Sequence, residues 1–173
     1  MRFRTPLVTL ACLLAAAVAA LADTPRPNFS GTWELDQTKS HSIPPDMKQT
    51  MTVVHNGDKV SLEVKIVNAQ GERVQKDEFT LDGKEVEFTP PPPRPDAPPA
   101  KGKRKGSWLP NGKGFFLEEE IQTKNPQGQD VTIIVSRKWT AWPDGTISIE
   151  TIQETPRGTF NNKRVFNKAA PKA

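Results

Sequence analysis

The sequence Asn28-Phe29-Ser30-Gly31-Thr32-Trp33-Glu34-Leu35-Asp36 is the stretch that decides the fold. Successive side chains of a β-strand point to opposite faces, so every second residue shares a face. The apolar positions of this stretch therefore lie together on one face, and the polar positions lie on the other; the apolar set is Phe29, Gly31, Trp33 and Leu35. We predict an opening strand with one buried and one solvated side.

The same alternation recurs along the chain between short turn signals. Asn56-Gly57-Asp58, Asp82-Gly83 and Asp144-Gly145 separate runs in which apolar residues stand at every second position. Strands joined by such short turns form antiparallel meanders. The pattern predicts about nine or ten strands and no amphipathic helix, which is typical of an all-β up-and-down barrel or a sandwich.

The N-terminal residues have the layout of a secretory signal peptide. Arg2 and Arg4 precede an apolar run over residues 7–21, and Ala20-Leu21-Ala22 supplies the small residues that precede a cleavage site. The run is shorter than the roughly 20 residues that span a bilayer. We therefore expect a signal peptide at residues 1–22 and an exported protein, in the periplasm or outside the cell, with no stable membrane anchor.

Removal of residues 1–22 would lower the formal net charge from +4 to +2 and would remove Cys12, the single cysteine. The mature chain would then hold no disulfide, and its stability would come from packing and sheet hydrogen bonds. Residues 23–173 are long enough for one core and short for two. We predict one domain, with a monomer as the default state and no nucleic acid as partner.

Residues 90–107 interrupt the strand pattern. This segment begins with Pro90–Pro93 and ends in the basic run Lys101-Gly102-Lys103-Arg104-Lys105, so we predict one long, exposed, proline-rich and basic loop. One interpretation is a docking arm for a proline-recognition groove, an anionic lipid surface or nucleic acid. The other, which we favour, is a solvated connection whose prolines prevent incorrect strand pairing.

Few residues of the sequence could carry chemistry. His41 lies in a polar segment and His55 precedes a turn, and neither has an identifiable catalytic partner. Glu118 and Glu120 share a strand face opposite Glu119, a spacing more typical of an outward solubility feature than of a pair of glycosidase carboxylates. We predict no catalytic residues, no metal site and no cofactor, and nothing in the sequence requires an enzyme.

The opening strand resembles the Gly-x-Trp strand of the calycins, the group that contains lipocalins and fatty-acid-binding proteins. The similarity rests on Gly31 and Trp33, and on Arg164, which stands on the last strand at the place of the closing arginine of that group. The whole layout is similar to small exported lipocalin-like bacterial proteins of uncharacterised function. The resemblance implies a lipocalin-like barrel of eight to ten strands in which Arg164 lies across the ring of Trp33. Unlike fatty-acid-binding proteins, the sequence shows no helical lid between Asp36 and Gln49.

Two functions from different classes follow. The first is binding of a small apolar or lipid-like ligand in a hollow barrel, and the second is a non-enzymatic structural or interaction role in the cell envelope, with a filled barrel and the proline-rich loop as contact surface. Filled and hollow barrels have the same alternation, so both remain open at this point. For the first function, the expected barrel-lining residues are Val53, Leu62, Val64, Phe88, Leu117, Ile133 and Ile149.

Overall fold

The computed structural model describes residues 25–92, 99–125 and 127–170. The predicted signal peptide at residues 1–22 and Cys12 lie outside these residues, as does the middle of the proline-rich segment. Within the described ranges no helix is long and apolar enough to cross a membrane.

The described residues form ten β-strands and no helix, and every strand runs antiparallel to its neighbours. Each strand pairs with the next one along the chain, except at one point between β4 and β5, and the first strand also pairs with the last. This arrangement confirms the predicted all-β up-and-down barrel. The strands are β1 (Gly31–His41), β2 (Lys48–Asn56), β3 (Lys59–Asn68), β4 (Gly71–Thr80), β5 (Asp82–Phe88), β6 (Lys101–Trp108), β7 (Gly114–Lys124), β8 (Asp130–Ala141), β9 (Ile147–Thr155) and β10 (Gly158–Lys168).

The opening strand lies in the middle of the sheet. Trp33 stands opposite Met51 of β2 on one side and opposite Lys168 of β10 on the other. Between Asp36 and His41 the pairing with β10 shifts register, and the turn that follows leads directly into β2. The short connection agrees with the absence of a helical lid at this place in the sequence.

An aromatic core fills one end of the barrel, which we call the closed end. The ring of Phe115 packs edge-on against Phe29 with their centroids 5.0 Å apart, and it stacks on Trp139 at the same separation. The indole N–H of Trp33 donates a 2.9 Å hydrogen bond to the carbonyl of Phe29. The segment before β1 is therefore packed into the barrel floor, because its backbone and its one aromatic ring both contact core residues.

The partner of Trp33 differs from the one implied by the family resemblance. The ammonium of Lys168 lies 5.7 Å from the centre of the Trp33 ring, whereas Arg164 hydrogen-bonds to Gln49. The reason is register: Lys168 is directly opposite Trp33, and Arg164 lies four residues further along β10, about 13 Å away at the usual rise per residue. Arg164 therefore contributes to the interior of the barrel and not to the closing contact.

The predicted loop at residues 90–107 is wrong in its second half. Residues 101–108 form β6, in which Gly102, Arg104 and Gly106 are buried. The intervening lysines are exposed, and Lys103 pairs with Glu85 at 3.1 Å. The basic run is thus an alternating strand: Lys103 and Lys105 stand opposite glutamates of the neighbouring strands, and Arg104 points inward.

Candidate functional site

The barrel encloses a cavity of about 1310 Å³ that opens at the end opposite the aromatic core. We call that end the mouth. The turns after β3, β7 and β9 lie there, together with both ends of the proline-rich segment. The barrel is therefore hollow in its outer half and filled by the core in its inner half.

Six of the seven residues predicted to line the barrel do line this cavity: Leu62, Val64, Phe88, Leu117, Ile133 and Ile149. The seventh, Val53, is 2% exposed and belongs to the core of the closed end. Val53 lies on the expected inward face, but further down the strand than the cavity reaches. Alternation predicts the face of a strand correctly and does not predict depth along the barrel axis.

Five polar residues cross the middle of the barrel between the aromatic core and the apolar upper wall. We call this set the polar belt, and each member comes from a different strand: Gln49, Arg104, Glu119, Arg137 and Arg164. All five are on inward-facing positions, where a charged side chain is costly unless it is paired. The belt is therefore the part of the interior where polar atoms can meet a ligand.

Glu119 is the single carboxylate of the belt, and both of its oxygens are occupied. Oε1 lies 2.8 Å from Nη2 of Arg104, and Oε2 accepts a hydrogen bond from Nη1 of Arg137. The side chain of Glu119 is 3% exposed. With a guanidinium partner on each oxygen, Glu119 acts as a fixed counter-ion for Arg104 and Arg137.

Arg164 has no carboxylate partner among the described residues. Its Nη1 donates a 3.1 Å hydrogen bond to the neutral amide oxygen of Gln49, and its Nε is buried without a partner. Burial lowers the pKa of Arg164, and the nearby charges of Arg137 and Arg73 lower it further. All three effects disfavour the cation, so an anion placed beside Arg164 would be stabilised there.

The described cavity wall is basic as a whole. It carries two carboxylates, Asp77 and Glu119, and seven cationic side chains: Arg73, Lys76, Arg104, Lys124, Arg137, Arg157 and Arg164. Between the belt and the mouth the wall combines apolar side chains such as Ile121 and Ile133 with polar ones such as Gln75, and it ends at the half-exposed ring of Phe160 and at proline rings of two loops. Three of the cations, Arg104, Arg137 and Arg164, belong to the belt, whereas Lys124 and Arg157 lie at the mouth.

Sequence reasoning missed the belt, although parts of its signal were present. The alternation predicts Glu119 on the strand face opposite Glu118 and Glu120, and the structure confirms this placement. The alternation of glycine and cations in β6 could have identified Arg104 as inward-facing. No local pattern shows which residues Arg104 contacts across the barrel.

The two histidines lie away from the cavity. His41 is exposed at the end of β1, and His55 is buried at the closed end, where its Nδ1 accepts a hydrogen bond from the backbone N–H of Phe29. Among the described residues, no three His, Cys, Asp or Glu side chains are grouped so that they could hold a metal ion.

Comparison with known proteins finds remote structural likenesses. No protein-family model matches the chain. No curated protein sequence matches it either. The zebrafish ileal bile acid-binding protein complexed with cholic acid is similar, with 16% identity and a TM-score of 0.47, over 82% of this chain and 98% of that one. The secretory abundant heat soluble protein 4 from Ramazzottius varieornatus is 18% identical, with a TM-score of 0.42, over 82% of this chain and 94% of that one.

Likenesses this remote carry no argument about a ligand. The strand order, the antiparallel pairing throughout and the nearly closed barrel are those of a calycin-type barrel, as the opening strand implied. The function has to be argued from the cavity itself.

Proposed function

We propose that the protein binds a small amphipathic molecule inside the barrel, with an apolar body and an acidic group. The observation that carries this proposal is the belt inside the cavity, where Arg104 and Arg137 are paired with carboxylates and Arg164 has no carboxylate partner among the described residues. Arg164 is largely buried, interacts with a neutral amide and has its pKa lowered by burial and by neighbouring cations. A ligand carboxylate or sulfonate at this position would supply the missing counter-charge.

The dimensions of the cavity suit a molecule of lipid size. Its volume of about 1310 Å³ exceeds the roughly 300–1,000 Å³ that is usual for small-molecule pockets. The apolar wall above the belt would cover the body of such a molecule, and removal of that apolar surface from water would supply most of the binding free energy. The belt would orient the acidic end toward the closed end of the barrel.

A matched pair of ligands tests the proposal. We expect dodecanoic acid to displace the fluorescent probe anilinonaphthalene sulfonate at least about tenfold more effectively than dodecanol, which lacks the charge, a difference of about 1.4 kcal/mol. Arg164→Gln should reduce this preference to less than about twofold, since the charge-assisted contact is lost. Lys59→Gln, at an exposed position at the start of β3 and outside the cavity lining, is the control and should retain the preference.

Two outcomes would contradict the proposal. If wild-type protein displaced no probe with either ligand, the cavity would not be a binding site for amphiphiles. If acid and alcohol competed equally well in wild type and in Arg164→Gln, binding would be governed by apolar contact alone, and the role given to the belt would be wrong.

Export also belongs to this proposal and is supported by the N-terminal sequence alone. We expect the protein to appear outside the cytoplasm with residues 1–22 removed, so that N-terminal sequencing of the recovered protein should begin at Asp23. A monomeric state and the absence of a nucleic-acid partner remain predictions of the sequence. Recovery of the uncleaved chain in the cytoplasm would overturn the export prediction.

A further inference from the structure

The barrel is not closed by hydrogen bonds all the way round. β4 and β5 are consecutive strands, separated only by Leu81, yet they stand at the two ends of the sheet and do not pair with each other. We call the gap between their facing edges the seam. Each of these two strands is held by a backbone ladder on one side only, β4 by β3 and β5 by β6.

One side chain from β6 reaches across the seam. Nη1 of Arg104 donates hydrogen bonds to Oδ1 of Asp77 at 2.6 Å and to the carbonyl oxygen of Glu78 at 2.9 Å, both on β4. The ring of Phe88, at the end of β5, covers the guanidinium with its centre 3.6 Å from Cζ. Arg104 therefore joins three strands, and it does so at the level of the polar belt.

Two glycines beside Arg104 make this contact possible. A Cβ at Gly102 would lie 2.3 Å from the ring of Phe88, and a Cβ at Gly106 would lie 2.2 Å from the carbonyl oxygen of Thr80. Both distances are far below van der Waals contact. The glycines thus allow the Phe88 ring and the end of β4 to lie directly against β6, so that the seam is tightly packed from Arg104 to the closed end.

Toward the mouth the seam has a different character. Gln75 of β4 lines the cavity on one edge, and Phe88 and Pro90–Pro92 line it on the other, with no backbone ladder between the edges. The prolines have no N–H to donate, so this part of the β5 edge cannot complete a ladder with β4. Among the described residues, therefore, no strand pairing closes the cavity wall along this side of the barrel, above Arg104.

The two carboxylate partners of Arg104 differ in burial, and this difference favours separation of Arg104 from β4. Its pairing with Glu119 is deeply buried, with both side chains 3% exposed, whereas the side chain of Asp77 is 31% exposed. If β4 moves away, Arg104 keeps Glu119 as its counter-ion, and Asp77 becomes hydrated. Release of the exposed partner therefore leaves Arg104 on Glu119, which it shares with Arg137, so no interior side chain loses its last partner, which is the main cost of breaking a buried ion pair.

We propose that the seam is a lateral entrance to the cavity and that Arg104 with Asp77 is its latch. This inference rests on the proposed function, since an entrance requires a ligand. Edge strands held on one side are the segments that open locally at the lowest free energy. Separation of β4 from the Phe88 end of β5 would give an amphiphile a path through the side wall of the barrel, between Gln75 and the edge formed by Phe88 and Pro90–Pro92.

Ligand exchange kinetics in the full chain test the entrance. With anilinonaphthalene sulfonate as probe in stopped-flow fluorescence, Asp77→Asn should raise both the association and the dissociation rate by about threefold or more, with Kd changed less than about twofold, because an entrance affects both directions equally. Arg104→Lys, which keeps a cation but loses the forked contact, should also raise both rates, and its Kd should change as well because Arg104 belongs to the belt. Lys138→Met removes a partner of Glu150 on the outer surface and should change neither rate.

Two results would overturn the entrance. Unchanged rates in Asp77→Asn and Arg104→Lys would show that ligand passes elsewhere. A change in dissociation alone, with an equal change in Kd, would show that these side chains contact the bound ligand instead of controlling its passage.

Amide hydrogen exchange without ligand tests the latch separately. Asp77→Asn should accelerate exchange in residues 71–76 of β4 and 86–88 of β5 and leave β7, β8 and β9 unchanged. Uniform acceleration over the barrel would overturn the latch, because it would mean a general loss of stability. If wild type bound no probe, the proposed function would fail and the entrance with it, while the exchange data would still decide whether Arg104 holds the seam.

Discussion

At the scale of single residues, the most recognisable side chains of the sequence have structural roles. Trp33 is 4% exposed and is held by the carbonyl of Phe29, and His55 binds the backbone N–H of that same residue. Ser30 adds a further link, since its hydroxyl accepts from the backbone N–H of His55 and donates to its carbonyl. Trp33, His55 and Ser30 together hold the segment before β1 against the floor of the barrel.

Trp33→Ala should destabilise the protein strongly. We expect a loss of about 3–5 kcal/mol in the free energy of unfolding, measured by denaturant titration, because a buried aromatic ring is replaced by a cavity. Phe160→Ala is the control: this ring is 58% exposed at the mouth, and its removal should cost less than about 1 kcal/mol. Equal losses in the two variants would show that Trp33 does not organise the floor.

His55 should make stability depend on pH. Burial lowers the pKa of His55 below the usual 6.5, against opposing effects of the Gly57 backbone and Asp58, and the neutral ring accepts the Phe29 hydrogen bond. Because the unfolded chain takes up a proton at higher pH than the folded one, stability is complete above about pH 6.5 and falls as the pH decreases toward the folded-state pKa.

Thermal melting between about pH 7 and pH 5 checks the contribution of His55. His55→Gln has no titrating ring but keeps an acceptor, so the decrease in melting temperature toward low pH should be smaller than in wild type. His41→Gln, at an exposed position, should follow the wild-type curve. The explanation fails if the His55 variant loses as much stability on acidification as wild type does.

At the scale of elements, β6 shows how an unusual strand composition is stabilised. Its glycines and its lysines would each be unfavourable in an isolated strand. In the barrel Lys103 and Lys105 stand opposite glutamates of β5 and β7, and the glycines allow close approach of β4 and β5. The strand forms because its neighbours supply charges on one face and contacts on the other.

Gly106→Ala should disturb the corner between β4 and β5. The added methyl group would lie 2.2 Å from the carbonyl oxygen of Thr80, and backbone must move to relieve the clash. We expect a loss of about 1–3 kcal/mol in the free energy of unfolding, as for an overpacked core position. Lys105→Ala, at the neighbouring outward position, should change stability by less than about 0.5 kcal/mol; a similar loss in both would show that the close approach is not required.

At the scale of the whole molecule, local patterns predicted the architecture well. The alternation of apolar residues and the Asx-Gly turns gave the all-β class, the meander and the strand number, because strand period and turn preference are properties of neighbouring residues. The same patterns placed six cavity-lining residues on the correct face. They failed at residues 101–107, where a cluster of cations has the composition of a solvated loop.

The sequence by itself therefore determined which residues form strands and which face each of them uses. Tertiary structure alone decided which inward side chains meet: Arg164 with Gln49, 115 residues earlier, and Arg104 with Asp77, across a seam that no ladder closes. Tertiary structure also placed Lys168 over the ring of Trp33, where the family resemblance had implied Arg164. The physical reason is that alternation is local, whereas register between distant strands is fixed only when the sheet curls and its two ends approach each other.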